Sequence, residues 1–244
     1  ERHVIMTEEE SKNNIEIQSL IKELNPETLF SPEWNNRVFQ SIVPTGGEKY
    51  DSEKINMFKI ENFLSKAECE DIISTYKTKT EVAETTSEDE EYRTSKTCMI
   101  NSFTEHELLK KSISLDIKIS NTLNLHPSMS EGIEFEYFKS GDFFKPHVDF
   151  FAIEPQGQAG AEELISRGQR TWTVAIYLNS PAKGGDTVFS NLDLRITPKM
   201  GTLVCWNNLN NDGEITSDYI HEEEMVAKGY KAILTKYYRD KRCQ

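Results

Sequence analysis

Glu131-Gly-Ile-Glu-Phe-Glu-Tyr-Phe-Lys-Ser-Gly-Asp-Phe-Phe-Lys-Pro-His-Val-Asp149 is the stretch on which the fold turns. Ile133, Phe135 and Tyr137 alternate with Glu134 and Glu136, the period of two that a half-buried strand imposes. Further short strand candidates follow near 144–150, 170–178, 186–189, 193–196, 201–206 and 231–238. Turn residues punctuate them: Lys183-Gly-Gly-Asp186, Thr197-Pro-Lys-Met-Gly201, and Asn207 through Gly213. Many short strands separated by such turns predict a β-sandwich or barrel.

Upstream the pattern is different. Residues 57–62 alternate and predict a short strand; Ser65 with Glu68, and Thr104 with Glu107, read as capping boxes opening helices. The second helix is expected to run to about Leu123. Helices thus precede the strands rather than alternating with them, which argues against a doubly wound parallel sheet and for a mainly β fold with flanking helices, α+β in class. Residues 79–91 lack apolar period and read as a mobile acidic loop. Residues 1–54 are polar and acidic and read as an N-terminal extension, with residues 55–244 as the main domain. The extension holds one amphipathic stretch, with Thr7 and Glu10 as a capping box, Ile15, Ile17, Leu20, Ile21 and Leu24 on its stripe, and Pro26 and Pro32 closing it; Pro44–Asp51 reads as a linker.

The 244 residues carry 41 acids against 28 bases, a net charge of −13, with 36% hydrophobic residues. This suffices for a core, and an acidic surface excludes a nucleic-acid backbone as the main partner. No run of ~18 apolar residues is present, so no membrane helix is expected. Cys69, Cys98, Cys205 and Cys243 form no CxxC pair and fit neither a zinc ribbon nor a disulfide scaffold. No signal-peptide pattern and no N-x-S/T sequon occur, and the start at Glu1 rather than Met reads as a trimmed end. The reading leans toward a soluble, cytoplasmic protein of undetermined oligomeric state.

The densest chemical signal is Lys145-Pro-His-Val-Asp149. On a strand, residues two apart share a face, so His147 and Asp149 can aim an imidazole and a carboxylate at one point. An H-x-D triplet alone is more often structural, and a third ligand is needed. Of the five histidines, His3, His106 and His126 suit packing or solvated roles, whereas His221 lies between a turn-rich segment and a strand. Two histidines and one carboxylate form the facial triad of non-haem Fe(II), but zinc accepts the same ligands. Lys231, ten residues after His221, begins a strand in which Lys231, Ile233, Thr235 and Tyr237 share a face. If that face lines a barrel, the cation needs an anion such as a dicarboxylate; otherwise Lys231 snorkels outward and Lys236 is another surface base.

Arg93-Thr-Ser-Lys96, Tyr137 through Asp149, Arg167-Gly-Gln-Arg170, Thr173 through Leu178, Gly184-Gly-Asp-Thr-Val-Phe189, Pro198-Lys-Met-Gly201, Trp206-Asn, and His221 with Lys231 stand in order. With these motifs the chain resembles the prolyl 4-hydroxylase family of Fe(II)/2-oxoglutarate dioxygenases over roughly residues 57–242. The resemblance implies a double-stranded β-helix (jelly-roll) core, with Fe(II) held by His147, Asp149 and His221. It implies that Lys231 pairs with the distal carboxylate of 2-oxoglutarate, that Thr173 adds a hydrogen bond there, and that Arg93 and Trp206 belong to substrate binding. The family's tyrosine nine residues before the first histidine is Phe138 here; Tyr137 replaces it only if the strand is bulged. The family's Pro-Val after the distal histidine is Met225-Val226. Glu222-Glu-Glu224 reads as a solvated turn or as a bias of the cleft toward basic peptides.

The function so implied is hydroxylation of prolyl residues in a peptide or protein, consuming O2 and releasing succinate and CO2, with ascorbate as a reductant. The 79–91 and 207–219 segments are candidate lids. The alternatives are the same cofactors acting on a free amino acid, a lysyl side chain or another small molecule; a non-catalytic jelly-roll binding module; and a zinc hydrolase. The last leaves Lys231 unexplained and lacks a clear general base.

Overall fold

A computed structural model of the chain describes residues 8–21, 42–51, 55–84, 91–151, 163–164 and 166–241. Its strands are β1 (Glu48–Lys49), β2 (Met57–Ile60), β3 (Glu81–Val82), β4 (Lys96–Met99), β5 (Glu134–Lys139), β6 (Phe144–His147) and β7 (Arg170–Tyr177). After these come β8 (Lys183–Gly184), β9 (Thr187–Phe189), β10 (Leu194–Ile196), β11 (Leu203–Asn207), β12 (His221–Glu223), β13 (Val226–Lys228) and β14 (Tyr230–Arg239). The helices are α1 (Glu8–Ile21), α2 (Lys66–Tyr76) and α3 (His106–Leu123).

An eight-stranded sheet runs β1-β2-β11-β7-β14-β5-β4-β3, and a four-stranded sheet runs β10-β9-β12-β6. All their pairings are antiparallel, and β13 pairs with β8 as a separate ribbon. This is the packed pair of sheets that the run of short strands predicts, in the jelly-roll form that the family resemblance implies.

Alternation assigns the two faces of the large sheet to two cores. Phe135 on β5, Trp172, Val174 and Ile176 on β7, and Leu234 on β14 pack with Cys69, Ile72, Ile73 and Tyr76 of α2 and Leu115, Ile119 and Leu123 of α3. The opposite face presents Phe138, Ala175, Tyr177, Val204, Trp206 and Ile233 toward Phe189 and Ile196 of the small sheet. The helices cover one face, and the second face is left to build a site between the sheets.

Several local expectations change. Ser65 caps α2 in a true capping box: its Oγ accepts from the Glu68 N–H at 3.1 Å, and its own N–H donates to the Glu68 carboxylate at 2.7 Å. Thr104 does not cap α3; Glu105 stands at that position without a side-chain cap, and the helix closes on left-handed Asn124. Glu48–Lys49, read as linker, is a short edge strand on β2, and Glu81–Val82 of the acidic loop pairs with β4. Thr7, Leu24, Pro26, Pro32, Cys243 and residues 85–90 lie outside the described residues. Among the described residues, no helix is long and apolar enough to cross a membrane.

Two buried ionic clusters tie the sheet to its surroundings. Lys236 is not a surface base: it is 1% exposed, and its Nζ donates to Asp116 of α3 at 2.6 Å and to the Glu131 carbonyl at 2.9 Å. Glu131 in turn accepts two hydrogen bonds from Arg170, at 2.6 and 2.9 Å, and one from Arg239 at 3.1 Å. Burial opposes the charge on Glu131, but the Arg170 and Arg239 hydrogen bonds and charges outweigh it and hold the carboxyl down at about 2. A depressed carboxyl stabilises the fold fully above its unfolded value, and that contribution is lost as pH falls through the folded one. The shift is worth about 3 kcal/mol. Glu131→Gln is therefore expected to lower urea-measured stability by about 3 kcal/mol at about pH 7. The gap to wild type should narrow steadily toward about pH 3. A gap that does not narrow on acidification would show that the loss is steric rather than ionic.

Candidate active site

Strands β6 and β12 are antiparallel neighbours, with His221 registered opposite His147. Asp149 follows β6 by two residues and returns to the same point. One ligand atom from each of His147, Asp149 and His221 lies within 4.8 Å of the others. Nε2 of His147 stands 3.7 Å from Asp149 Oδ1, and Nε2 of His221 stands 3.8 Å from the same oxygen. Asp149 and His221 are buried, and His147 is nearly so.

Each imidazole is turned the same way. His147 Nδ1 bonds the Lys145 carbonyl at 2.8 Å, and His221 Nδ1 bonds the Tyr219 carbonyl at 2.9 Å. A carbonyl only accepts, so both Nδ1 atoms carry a proton, and the Nε2 atoms are the ones turned toward Asp149. Burial, then the neighbouring His221, push the His147 imidazole down to about 3 against the pull of Asp149, which keeps it in the neutral, ligating form. The rings are clamped: Phe144 stacks on His147 at 3.7 Å, while Phe189 and Trp206 each lie 5.1 Å from His221. Two imidazole nitrogens and one carboxylate oxygen, pre-aimed and largely buried, fit a divalent transition metal.

Asp149 is held by a relay that the sequence reading did not find. Trp206 donates its indole N–H to Asn208 Oδ1 at 3.1 Å, and Asn208 Nδ2 donates to Thr173 Oγ1 at 2.9 Å. Thr173 donates to Asp149 Oδ2 at 2.9 Å. One carboxylate oxygen is thereby fixed, and the other is left for the metal. Thr173, expected beside a distal carboxylate, thus serves the aspartate instead. Trp206, expected to touch substrate, is 3% exposed, lies against the His221 ring and is among the residues lining the cleft.

Tyr137 and Phe138 are settled by register. Lys231 pairs with Phe138 and Ala232 with Tyr137 in an unbroken ladder between β14 and β5. Phe138 therefore shares the inner face with Lys231, whose Nζ lies 5.2 Å from its ring centroid. Tyr137 points to the helix side, where it stacks on Tyr230 at 5.4 Å. No bulge brings it back, so Tyr137 is not a co-substrate ligand.

Arg93 lies at the cleft mouth, bridged to Phe144 of β6. Its guanidinium meets Glu134 at 2.6 Å and Glu136 at 2.8 Å and lies 4.7 Å from the Phe144 ring centroid. Burial disfavours its charge, but Glu136 and Glu134 outweigh that and hold it protonated. Lys231 does face inward, as the alternation of β14 predicts, and is fully buried. Its Nζ donates to the Gly185 carbonyl at 2.7 Å and closely to Glu223. Glu223 is no solvated turn: it is 8% exposed, on the strand that carries His221. The position two residues after His221 was the available signal, since it shares that side chain's face.

Residues 133–239 match the family model described as the 2OG-Fe(II) oxygenase superfamily. The chain is 30% identical over 124 residues to prolyl 4-hydroxylase subunit alpha-2 of Caenorhabditis elegans, covering 51% of this chain and 22% of that one. It is 26% identical over 203 residues to the probable prolyl 4-hydroxylase 3 of Arabidopsis thaliana, covering 74% of this chain and 68% of that one. The chain thus spans about a fifth of the length of the first of these relatives. Among solved structures it is similar in fold to the viral collagen prolyl hydroxylase of Paramecium Bursaria Chlorella virus-1, in a 2OG complex. There the TM-score is 0.55 at 22% identity, covering 74% of this chain and 94% of that one. It is likewise similar to a Trichoplax adhaerens prolyl hydroxylase in complex with a hypoxia inducible factor peptide fragment. That likeness has a TM-score of 0.53 at 19% identity and covers 91% of this chain and 93% of that one.

Proposed function

We propose that this chain, whose residues 133–239 match the 2OG-Fe(II) oxygenase superfamily model and which is similar to prolyl 4-hydroxylases, is a 2-oxoglutarate-dependent dioxygenase acting on prolyl residues of a peptide or protein. The observation that carries the reading is the convergence of His147, Asp149 and His221, with both Nε2 atoms aimed at one carboxylate oxygen. Held there by His147, Asp149 and His221, Fe(II) with 2-oxoglutarate and dioxygen would supply the oxidising chemistry that inserts oxygen into a C–H bond, leaving succinate and carbon dioxide.

The chain's own part is to bind, orient and exclude water. His147, Asp149 and His221 hold the metal from one side, and Phe144, Phe189 and Trp206 keep that side dry. Thr173, through Asn208 and Trp206, fixes the carboxylate rotamer. Lys231 offers the buried cation for the distal carboxylate, in a setting where an unmatched ammonium is costly. Arg93, locked by two glutamates beside Phe144, gives the mouth of the cleft a fixed polar wall against which an extended peptide is laid.

The test is incubation of the purified protein with Fe(II), 2-oxoglutarate and proline-containing peptides in air. Succinate, together with a peptide heavier by one oxygen atom at proline, is the expected result. Turnover of free L-proline but not of peptides would move the substrate to a small molecule. Metal binding without succinate in any arm would reject the oxygenase reading.

A further inference from the structure

The cation that should receive a co-substrate is already matched from within. Lys231 Nζ donates to the Glu223 carboxylate and to the Gly185 carbonyl. The same Glu223 oxygen accepts from Thr187 Oγ1 at 2.8 Å, and Thr187 meets the Tyr177 hydroxyl at 2.7 Å. Glu223 is thus seated by an ammonium and a hydroxyl, the partners any buried carboxylate needs. His147, Asp149, His221 and Glu223 line the cleft; Lys231 is not among its lining residues, and Glu223 is the lining residue that its Nζ meets. It leaves about 30 Å³ of open room, space for one or two waters and far too little for a five-carbon diacid.

We propose that Glu223 is a tethered competitor for the co-substrate: its carboxylate occupies the seat of the distal carboxylate, and a 2-oxo diacid binds only by displacing it. The inference rests on the 2-oxoglutarate reading given above and concerns a residue in a run that reads as surface from sequence. Its consequence is selectivity. A diacid must exchange one carboxylate for another on Lys231, so the cation confers less preference over a 2-oxo monoacid than it would with its seat empty. Its apparent affinity is lowered by the fraction of protein in which Glu223 is seated.

The experiment is an anaerobic titration of the Fe(II)-loaded protein with 2-oxoglutarate and, separately, pyruvate, read by the metal-to-ligand absorption band. Wild type is compared with Glu223→Gln, which keeps the shape and a carbonyl for Lys231, and with Glu223→Ala, which removes both. Both variants are expected to bind 2-oxoglutarate at least about tenfold more tightly than wild type, with pyruvate affinity changed less than about twofold. Unchanged or weaker 2-oxoglutarate binding in both variants, with Fe(II) still bound, would overturn the proposal. Failure of all three proteins to bind 2-oxoglutarate would instead remove the co-substrate assignment itself, so the two failures are distinguishable.

Discussion

His221→Ala should lose Fe(II) binding and all turnover together. The variant leaves His147 and Asp149 as a two-ligand remnant. Loss of an outer hydrogen-bond partner alone costs a metal site ~10–100-fold in affinity, so deleting one of three ligands is expected to exceed about 100-fold. The imidazole is also wedged against Phe189 and Trp206, so truncation leaves a hole and costs stability of about 2 kcal/mol. His221→Gln, which fills the space without restoring the ligand geometry, separates the two effects: the fold recovers and the metal does not. His106→Ala is the control, because that ring is engaged with Glu16 of α1 at 2.9 Å, outside the cluster. Anaerobic equilibrium dialysis with Fe(II), read by metal analysis, checks all four proteins. Wild-type affinity in His221→Ala would detach the site from this triad.

The inner face of the large sheet was legible because alternation is a rigid geometric rule. Once β14 is a strand, Lys231, Ile233, Thr235 and Tyr237 must share a side, and they do. The same rule placed His147 with Asp149, and the spacing of turns gave His221 room to return. Glu222-Glu-Glu224 reads as a solvated turn or as a bias of the cleft toward basic peptides, because three consecutive acids are costly to desolvate together. Only the strand register shows that the middle one meets an ammonium. Glu224, beside it, does follow the surface rule and pairs with exposed Arg195. The surface-base alternative for Lys236 fails for the matching reason: its partner Asp116 sits 120 residues away on α3, and no local pattern announces such a pair. Thr104 failed as a cap because a capping box is a local preference that the entry path of the chain overrides. Asn208 escaped notice because its role exists only through Thr173, a tertiary neighbour.

Lys231→Met is expected to weaken 2-oxoglutarate binding by at least about 100-fold and, unlike a purely functional change, to destabilise the protein that carries no co-substrate. The first effect follows from removing the buried ammonium on the inner face of β14 whose charge matches a distal carboxylate; a charge-assisted contact in a buried site is worth about 3 kcal/mol. The second follows from Glu223, which is left as a buried carboxylate with Thr187 as its remaining donor. Breaking a buried pair by deleting one partner costs about 3–5 kcal/mol. The lower end is expected here, because Glu223 also lines the cleft and can rotate toward water. The double variant Lys231→Met with Glu223→Gln removes both charges, so it should regain most of the lost stability in urea melts while remaining unable to select the diacid. Pyruvate affinity should be nearly level across the three proteins, since a monoacid has no use for the ammonium. If the double variant is no more stable than the single one, the two charges are not coupled, and Lys231 is matched by the Gly185 carbonyl and its aromatic surroundings alone.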